Sequence, residues 1–109
     1  MVKVTVLYGE PQDPAAFEEY YLERHIPEFG VKIPGLITAD ISKSVKTGEE
    51  KPPYYRIADL WFKDMAVMTQ ALGSPEGKAA VADVGTFATG GYKVLVSETT
   101  TVEVAAAAV

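Results

Sequence analysis

Apolar and polar residues alternate from the start of the chain, with Val2, Val4, Val6 and Tyr8 separated by Lys3, Thr5 and Leu7. A period of two is that of a strand with one buried face, so Val2 to Tyr8 is predicted as the first strand. The period lengthens after Asp13-Pro14, where a capping side chain is followed by proline at the first helical position. The helix that starts there is predicted to run to about His25 or Ile26 and to weaken at Pro27, with a further apolar turn from Phe29 to Ile33. Pro34-Gly35 is a stop and a turn. Leu36 to Val45 reads as the second strand, Thr47 to Pro53 as a polar loop, and Tyr54 to Phe62 as the third strand, rich in aromatic and branched residues. Asp64 caps a short helix with Met65, Met68, Thr69 and Leu72 on one side, and Ser74-Pro75 starts another with Ala80, Val81, Val84 and Phe87 inward. Gly90-Gly91 is a turn, and Tyr92 to Ser97 is the last strand.

The order β-α-β-β-α-β predicts an α+β chain of ferredoxin-like topology, its second helix split in two. The expected sheet is four-stranded and antiparallel, in the order fourth, first, third, second strand, with helices on one face. Alternation assigns Val2, Val4, Val6, Tyr8, Ala58, Leu60, Phe62, Tyr92, Val94 and Val96 to the helix side. The other face then carries Lys3, Thr5, Leu7, Thr38, Asp40, Ser42, Ile57, Asp59, Trp61, Lys93, Leu95 and Ser97. A tryptophan and three aliphatic residues on adjoining strands favour a homodimer interface over a solvated face. Lys3 and Asp59 share that face on neighbouring strands, where they can form a cross-strand ion pair.

Composition narrows the classes of function. A length of 109 residues is that of one domain, taken as residues 1–100 with a C-terminal tail at 101–109 that ends in low-complexity sequence. Without cysteine there are no disulfides or thiolate metal sites, and the single histidine, His25, rules out a multi-histidine metal centre within one chain. A formal charge of −5 without a basic cluster argues against nucleic acid and anionic membrane as partners. The apolar run at Val2 to Tyr8 is short and interrupted, which suits a strand better than a signal-peptide core or a membrane span, and makes the cytoplasm the default location.

His25 is the natural centre of any chemistry. With Phe17 set at zero and about 100° per residue, Tyr21 falls near 40°, His25 near 80°, Phe29 near 120° and Leu22 near 140°. His25 therefore sits in the stripe facing the sheet, one turn from Tyr21. A histidine among aromatic rings can exchange protons near neutral pH, or it can be a core side chain satisfied by one hydrogen bond. Glu18, Glu19 and Glu23 lie in the early turns of their helix, where acidic residues favour the dipole, and read as a solvated face. Asp59 falls on the sheet face opposite His25 and is assigned to the interface. Gly85, Gly90 and Gly91 lack the strand and spacing of a nucleotide-binding loop, and Met65 and Met68 read as core filler.

The runs Val4-Thr5-Val6-Leu7-Tyr8, Phe17-Glu18-Glu19-Tyr20-Tyr21-Leu22-Glu23-Arg24-His25-Ile26-Pro27, Tyr55-Arg56-Ile57-Ala58-Asp59-Leu60-Trp61-Phe62 and Ser74-Pro75-Glu76-Gly77, with Asp83 and Phe87 following, resemble the EthD family of the dimeric α/β-barrel superfamily. The resemblance covers about Val2 to Thr99. It implies a homodimer in which two four-stranded sheets close into a barrel, and it carries His25 onto the family's histidine before proline and Tyr20 and Tyr21 onto its tyrosine pair. It implies no single reaction, since related families include cyclases, isomerases, cofactor-free monooxygenases and haem-degrading enzymes. Two classes of function follow. One is a cofactor-independent enzyme with His25 as acid/base and Tyr21 orienting it, whose pocket for a small, partly apolar substrate is shaped by Phe17, Phe62, Met68, Phe87 and Tyr92. The other is a non-catalytic carrier or accessory protein for a partner oxygenase system. Haem held by His25 is a weaker reading, because only Arg24 and Arg56 offer positive charge for its propionates.

Overall fold

The computed structural model describes residues 1–105. Of the expected tail, residues 101–105 carry no regular element and 106–109 lie outside the described residues. Strands β1 (Val2–Tyr8), β2 (Thr38–Lys43), β3 (Arg56–Phe62) and β4 (Tyr92–Glu98) form one antiparallel sheet in the order β2-β3-β1-β4. Between β1 and β2 run α1 (Pro14–Tyr20), a π-helical turn (Tyr21–His25), α2 (Ile26–Glu28) and a 3-10 turn (Gly30–Lys32). Between β3 and β4 lie α3 (Met65–Gly73) and α4 (Pro75–Phe87). This is the expected ferredoxin-like topology with its second helix split.

Each helix start is fixed locally. The backbone N–H groups of Ala16, Val67 and Gly77 donate to the side chains of Asp13, Asp64 and Ser74 at 3.1, 2.9 and 3.0 Å, satisfying donors that a helix otherwise leaves open. Gly77 lets α3 and α4 meet at a sharp corner, because a Cβ there would collide with the Ala71 carbonyl oxygen. The first helix does not stop at Pro27. Ile26 N–H donates five residues back to Tyr21 O, which is the π turn, and the chain stays helical to Glu28. Proline has no N–H to place, so the wider turn accommodates it. The same turn changes the angular step per residue, and Leu22, expected on the inner stripe, is exposed. Met65 and Val81 are exposed as well.

Strand register confirms the assignment of faces. Val4 pairs with Leu60 and Val96, and Val6 with Ala58 and Val94, on the helix side. The core divides into an aliphatic cluster (Val2, Val4, Ile33, Phe62, Met68, Ala71, Ala80) and an aromatic one (Tyr8, Phe17, Tyr21, Ala58, Val84, Phe87). Each fully buried large apolar side chain contributes roughly 1.5–3 kcal/mol. β2 and β3 are shorter than their apolar runs. Tyr55 N–H donates to Tyr8 O and Ser44 N–H to Tyr55 O, so Tyr54 and Tyr55 belong to the turn that closes the ladder. On the other sheet face Lys3 Nζ lies 3.8 Å from Asp59, as its place on that face predicts, and Thr5 Oγ1 donates to the same carboxylate at 2.6 Å. Among the described residues no helix is long and apolar enough to cross a membrane.

Candidate active site

The helices do not close fully onto the sheet. Between the two lies a cavity of about 250 Å³, floored by Val4, Val6, Ala58 and Leu60 of the central strands and by Ala39, Ile41, Tyr92 and Val94 of the edge strands. Ile26, Val31, Val81 and Val84 help to cover it. Val31, Ile41, Val81, Tyr92 and Val94 are also exposed and form its rim. The wall carries no aspartate, glutamate, lysine or arginine, and its ionisable side chains are Tyr8, Tyr21, His25 and Tyr92.

His25 is 6 % exposed, on the last residue of the π turn, with its ring 4.7 Å from that of Phe87 and 5.9 Å from that of Tyr21. Its Nδ1 lies 2.8 Å from Asp83 Oδ2, across the gap between the first helix and α4. Asp83 is buried too, and its other oxygen accepts from the Tyr20 hydroxyl at 2.7 Å and from Thr86 Oγ1 at 3.3 Å. Burial pushes the Asp83 carboxyl up, but hydrogen bonds from Tyr20 and His25 outweigh it and hold the group below the usual carboxylate range. An ionised Asp83 can only accept, so Nδ1 carries the proton and Nε2 is the nitrogen available to the cavity.

Tyr21 is fully buried, and its hydroxyl has no hydrogen-bond partner. Burial pushes that hydroxyl up to about 12, against the pull of the Arg56 guanidinium 5.6 Å from its ring. Burial likewise raises Tyr8, whose ring lies 5.4 Å from that of Tyr21. Glu18 is not part of a solvated acidic face. It takes Arg56 Nε at 3.1 Å and Nη2 at 2.5 Å, and the Arg56 hydrogen bond holds its carboxyl down despite the opposing effect of burial. The inward face of α1 gathers this pair beneath Tyr21, while Glu19 and Glu23 stay exposed as expected.

The structure brings His25, Tyr21 and Tyr92 together on the cavity wall. Phe62 and Met68 lie instead in the aliphatic cluster, and Phe17 and Phe87 in the aromatic cluster, away from the cavity lining. Phe62 and Met68 face the far end of the sheet from Tyr8, and the Tyr21 and His25 rings take the wall positions that Phe17 and Phe87 would need. The sequence reading did not single out Asp83 as the partner of His25. The signal was present, since Asp83 falls in the Ala80, Val84, Phe87 stripe of α4 and is an acid among apolar inward residues. Arg24 and Arg56 are each paired with a carboxylate, Glu28 and Glu18. Among the described residues no group of three or more His, Cys, Asp or Glu side chains is placed to hold a metal ion.

Comparison with known proteins bears on the fold and the family. The EthD domain model matches residues 9–91. An uncharacterised 11.0 kDa protein from the thcB-thcC intergenic region of Rhodococcus erythropolis is 39% identical over 102 residues, spanning 94% of this chain and 98% of its own. The crystal structure of an EthD family protein from Bacillus halodurans superimposes with a TM-score of 0.86 at 31% identity, covering 92% of this chain and 99% of that one. Two more distant structures share the fold alone. SnoaB from Streptomyces nogalater, described as a cofactor-independent oxygenase, gives a TM-score of 0.62 at 16% identity over 93% of each chain. A dimeric ferredoxin-like protein of unknown function from Thermobifida fusca gives 0.66 at 11% identity over 88% of each chain. With its family model spanning His25, Asp83, every helix and strands β2 and β3, the chain belongs to the EthD family.

Proposed function

We propose that this chain is a cofactor-independent acid/base enzyme, of isomerase, lyase or cyclase type, acting on a small, partly apolar molecule held in the cavity beside His25. The observation that carries the reading is the buried His25–Asp83 pair at the wall of an otherwise apolar cavity. A carboxylate on Nδ1 fixes the tautomer and stabilises the imidazolium that forms when Nε2 takes a proton. The proton leaves a C–H or O–H of the substrate, resides on Nε2, and returns to a different atom. Tyr20 positions the Asp83 carboxylate, and Thr86 Oγ1 donates to the Asp83 backbone carbonyl at 2.7 Å.

The test is a thermal-shift ligand screen on wild type, His25→Ala and His25→Gln, followed by product analysis for each hit. Both variants should fold, and turnover should fall by ~10²–10⁴ in each, because glutamine cannot exchange a proton at neutral pH. The largely apolar wall favours a second reading, a carrier that holds its ligand mainly by apolar contact. A carrier would keep much of its affinity in His25→Gln and release its ligand chemically unchanged.

The same proposal includes a homodimer through the open sheet face. That face is acidic on its β2 and β3 half (Asp40, Asp59) and basic on its β1 and β4 half (Lys3, Lys93), so a two-fold axis parallel to the strands sets opposite charges against each other. The Thermobifida fusca neighbour, described as dimeric, supports it at the level of the fold. Trp61→Glu should yield a monomer or an unfolded chain in light scattering, and an unchanged dimer would remove this part of the proposal.

A further inference from the structure

The chemistry of the cavity wall narrows the class of ligand. We infer that the site takes an uncharged molecule of about two fused rings whose weakly acidic O–H, of phenol or enol type, is directed at His25 Nε2. This inference rests on the reading of His25 as the site's acid/base.

Size comes first. A dry apolar cavity of ~150 Å³ holds benzene, and this one is about 250 Å³. The wall is apolar on the sheet side and on the helix side alike, so most of the ligand's surface must be hydrocarbon.

Charge comes second. No cation lines the wall, Arg56 and Lys43 both lie against Glu18, and Arg24 is paired with Glu28. A carboxylate entering the cavity gives up its water and finds no cation in exchange. It also meets ionised Asp83 directly behind His25. Protonating His25 to receive the anion would still leave two negative charges around one positive. A neutral O–H avoids this on binding, before any proton moves. When it reacts, the O–H bond breaks and an N–H bond forms at Nε2, giving an oxyanion, an imidazolium and the Asp83 carboxylate. The net charge is the same before and after, and the separated pair forms only while the proton rests on Nε2.

Three probes of one size separate these requirements: naphthalene, 2-naphthol and 2-naphthoate, titrated by calorimetry at pH 7 into wild type and His25→Gln. The expected order in wild type is 2-naphthol tightest, naphthalene next and 2-naphthoate at least tenfold weaker than 2-naphthol. His25→Gln should weaken 2-naphthol about tenfold and leave naphthalene unchanged. If 2-naphthoate binds as tightly as 2-naphthol and His25→Gln weakens both, the charge argument is overturned while His25 keeps its role. If all three bind equally to both proteins, the reading of His25 falls as well. If none binds, the size and polarity argument is wrong.

Discussion

The two ends of the core are built from different materials. At one end Val2, Val4, Ile33, Phe62 and Met68 close on one another with only aliphatic, thioether and phenyl surfaces in contact. At the other, Tyr8, Phe17, Tyr21 and Phe87 surround a buried histidine, a buried aspartate and a tyrosine hydroxyl without a partner. The first end stabilises the fold by removing apolar area from water. The second gives up part of that gain, because buried polar and ionic groups roughly break even at best when paired and cost stability when they are not. Both ends line the cavity, and a core that needed only to be stable would not concentrate its polar groups at one end of it.

The contrast is sharpened first by Phe62→Ala. Phe62 is fully buried in the aliphatic end, so its truncation should cost ~3–5 kcal/mol in urea unfolding. A loss under ~1 kcal/mol would mean that end is not the stabilising one. Asp83→Asn should cost less, ~1–3 kcal/mol, through the charge-assisted bonds it removes from His25 and Tyr20.

Acid acts on the polar groups. Asp83 and Glu18 are both held below their ordinary values in the folded chain. Each therefore adds stability above the unfolded carboxylate pKa of ~4, and that stability is lost as pH falls through the lowered folded values. Melting temperature should drop from about pH 5 downward, and the drop should be shallower in Asp83→Asn. Identical acid profiles for the two proteins would contradict an ionised, hydrogen-bonded Asp83.

Smaller effects separate adjacent tyrosines. Tyr20→Phe removes a hydrogen bond to Asp83 and should cost ~1 kcal/mol, whereas Tyr21→Phe removes an unpartnered hydroxyl and should be neutral or slightly stabilising. Equal losses would show that the Tyr21 hydroxyl has a partner. The smallest effect is expected outside the core. Lys3 and Asp59 are both partly exposed in the single chain, and a double-mutant cycle with Lys3→Met and Asp59→Ala, run dilute enough to keep the chain monomeric, should give a coupling below ~1 kcal/mol.

The fold was legible because its signals are local. Alternation along Val2 to Tyr8, capping residues at Asp13, Asp64 and Ser74, and the turn at Gly90-Gly91 each specify an element without reference to the rest. Strand order and sheet faces follow from topology. Of the cavity wall, His25, Tyr21 and Tyr92 were legible. Asp83 lies 58 residues away from His25, and the pairing depends on how α4 crosses the π turn. That turn is itself invisible to a fixed 100° step. The cavity is harder still to read, since it is space left between layers, and Ala39, Ile41 and Val94 line it only because the helices stop short of both sheet edges. Large aromatic residues were the reasonable guess for a pocket wall, yet Phe62 is worth more filling the core.

Nuclear magnetic resonance of the imidazole nitrogens tests the His25–Asp83 pair most directly, because the chain contains one histidine and its signals need no assignment. In ¹⁵N-labelled wild type at a pH where the ring is neutral, Nδ1 should appear as the protonated nitrogen and Nε2 as the bare one. Addition of 2-naphthol should shift Nε2 strongly and Nδ1 little, and Asp83→Asn should lose the single tautomer. A spectrum with the proton on Nε2, or one unmoved by any ligand that binds the cavity, would contradict a histidine held by Asp83 and turned to the cavity for proton transfer.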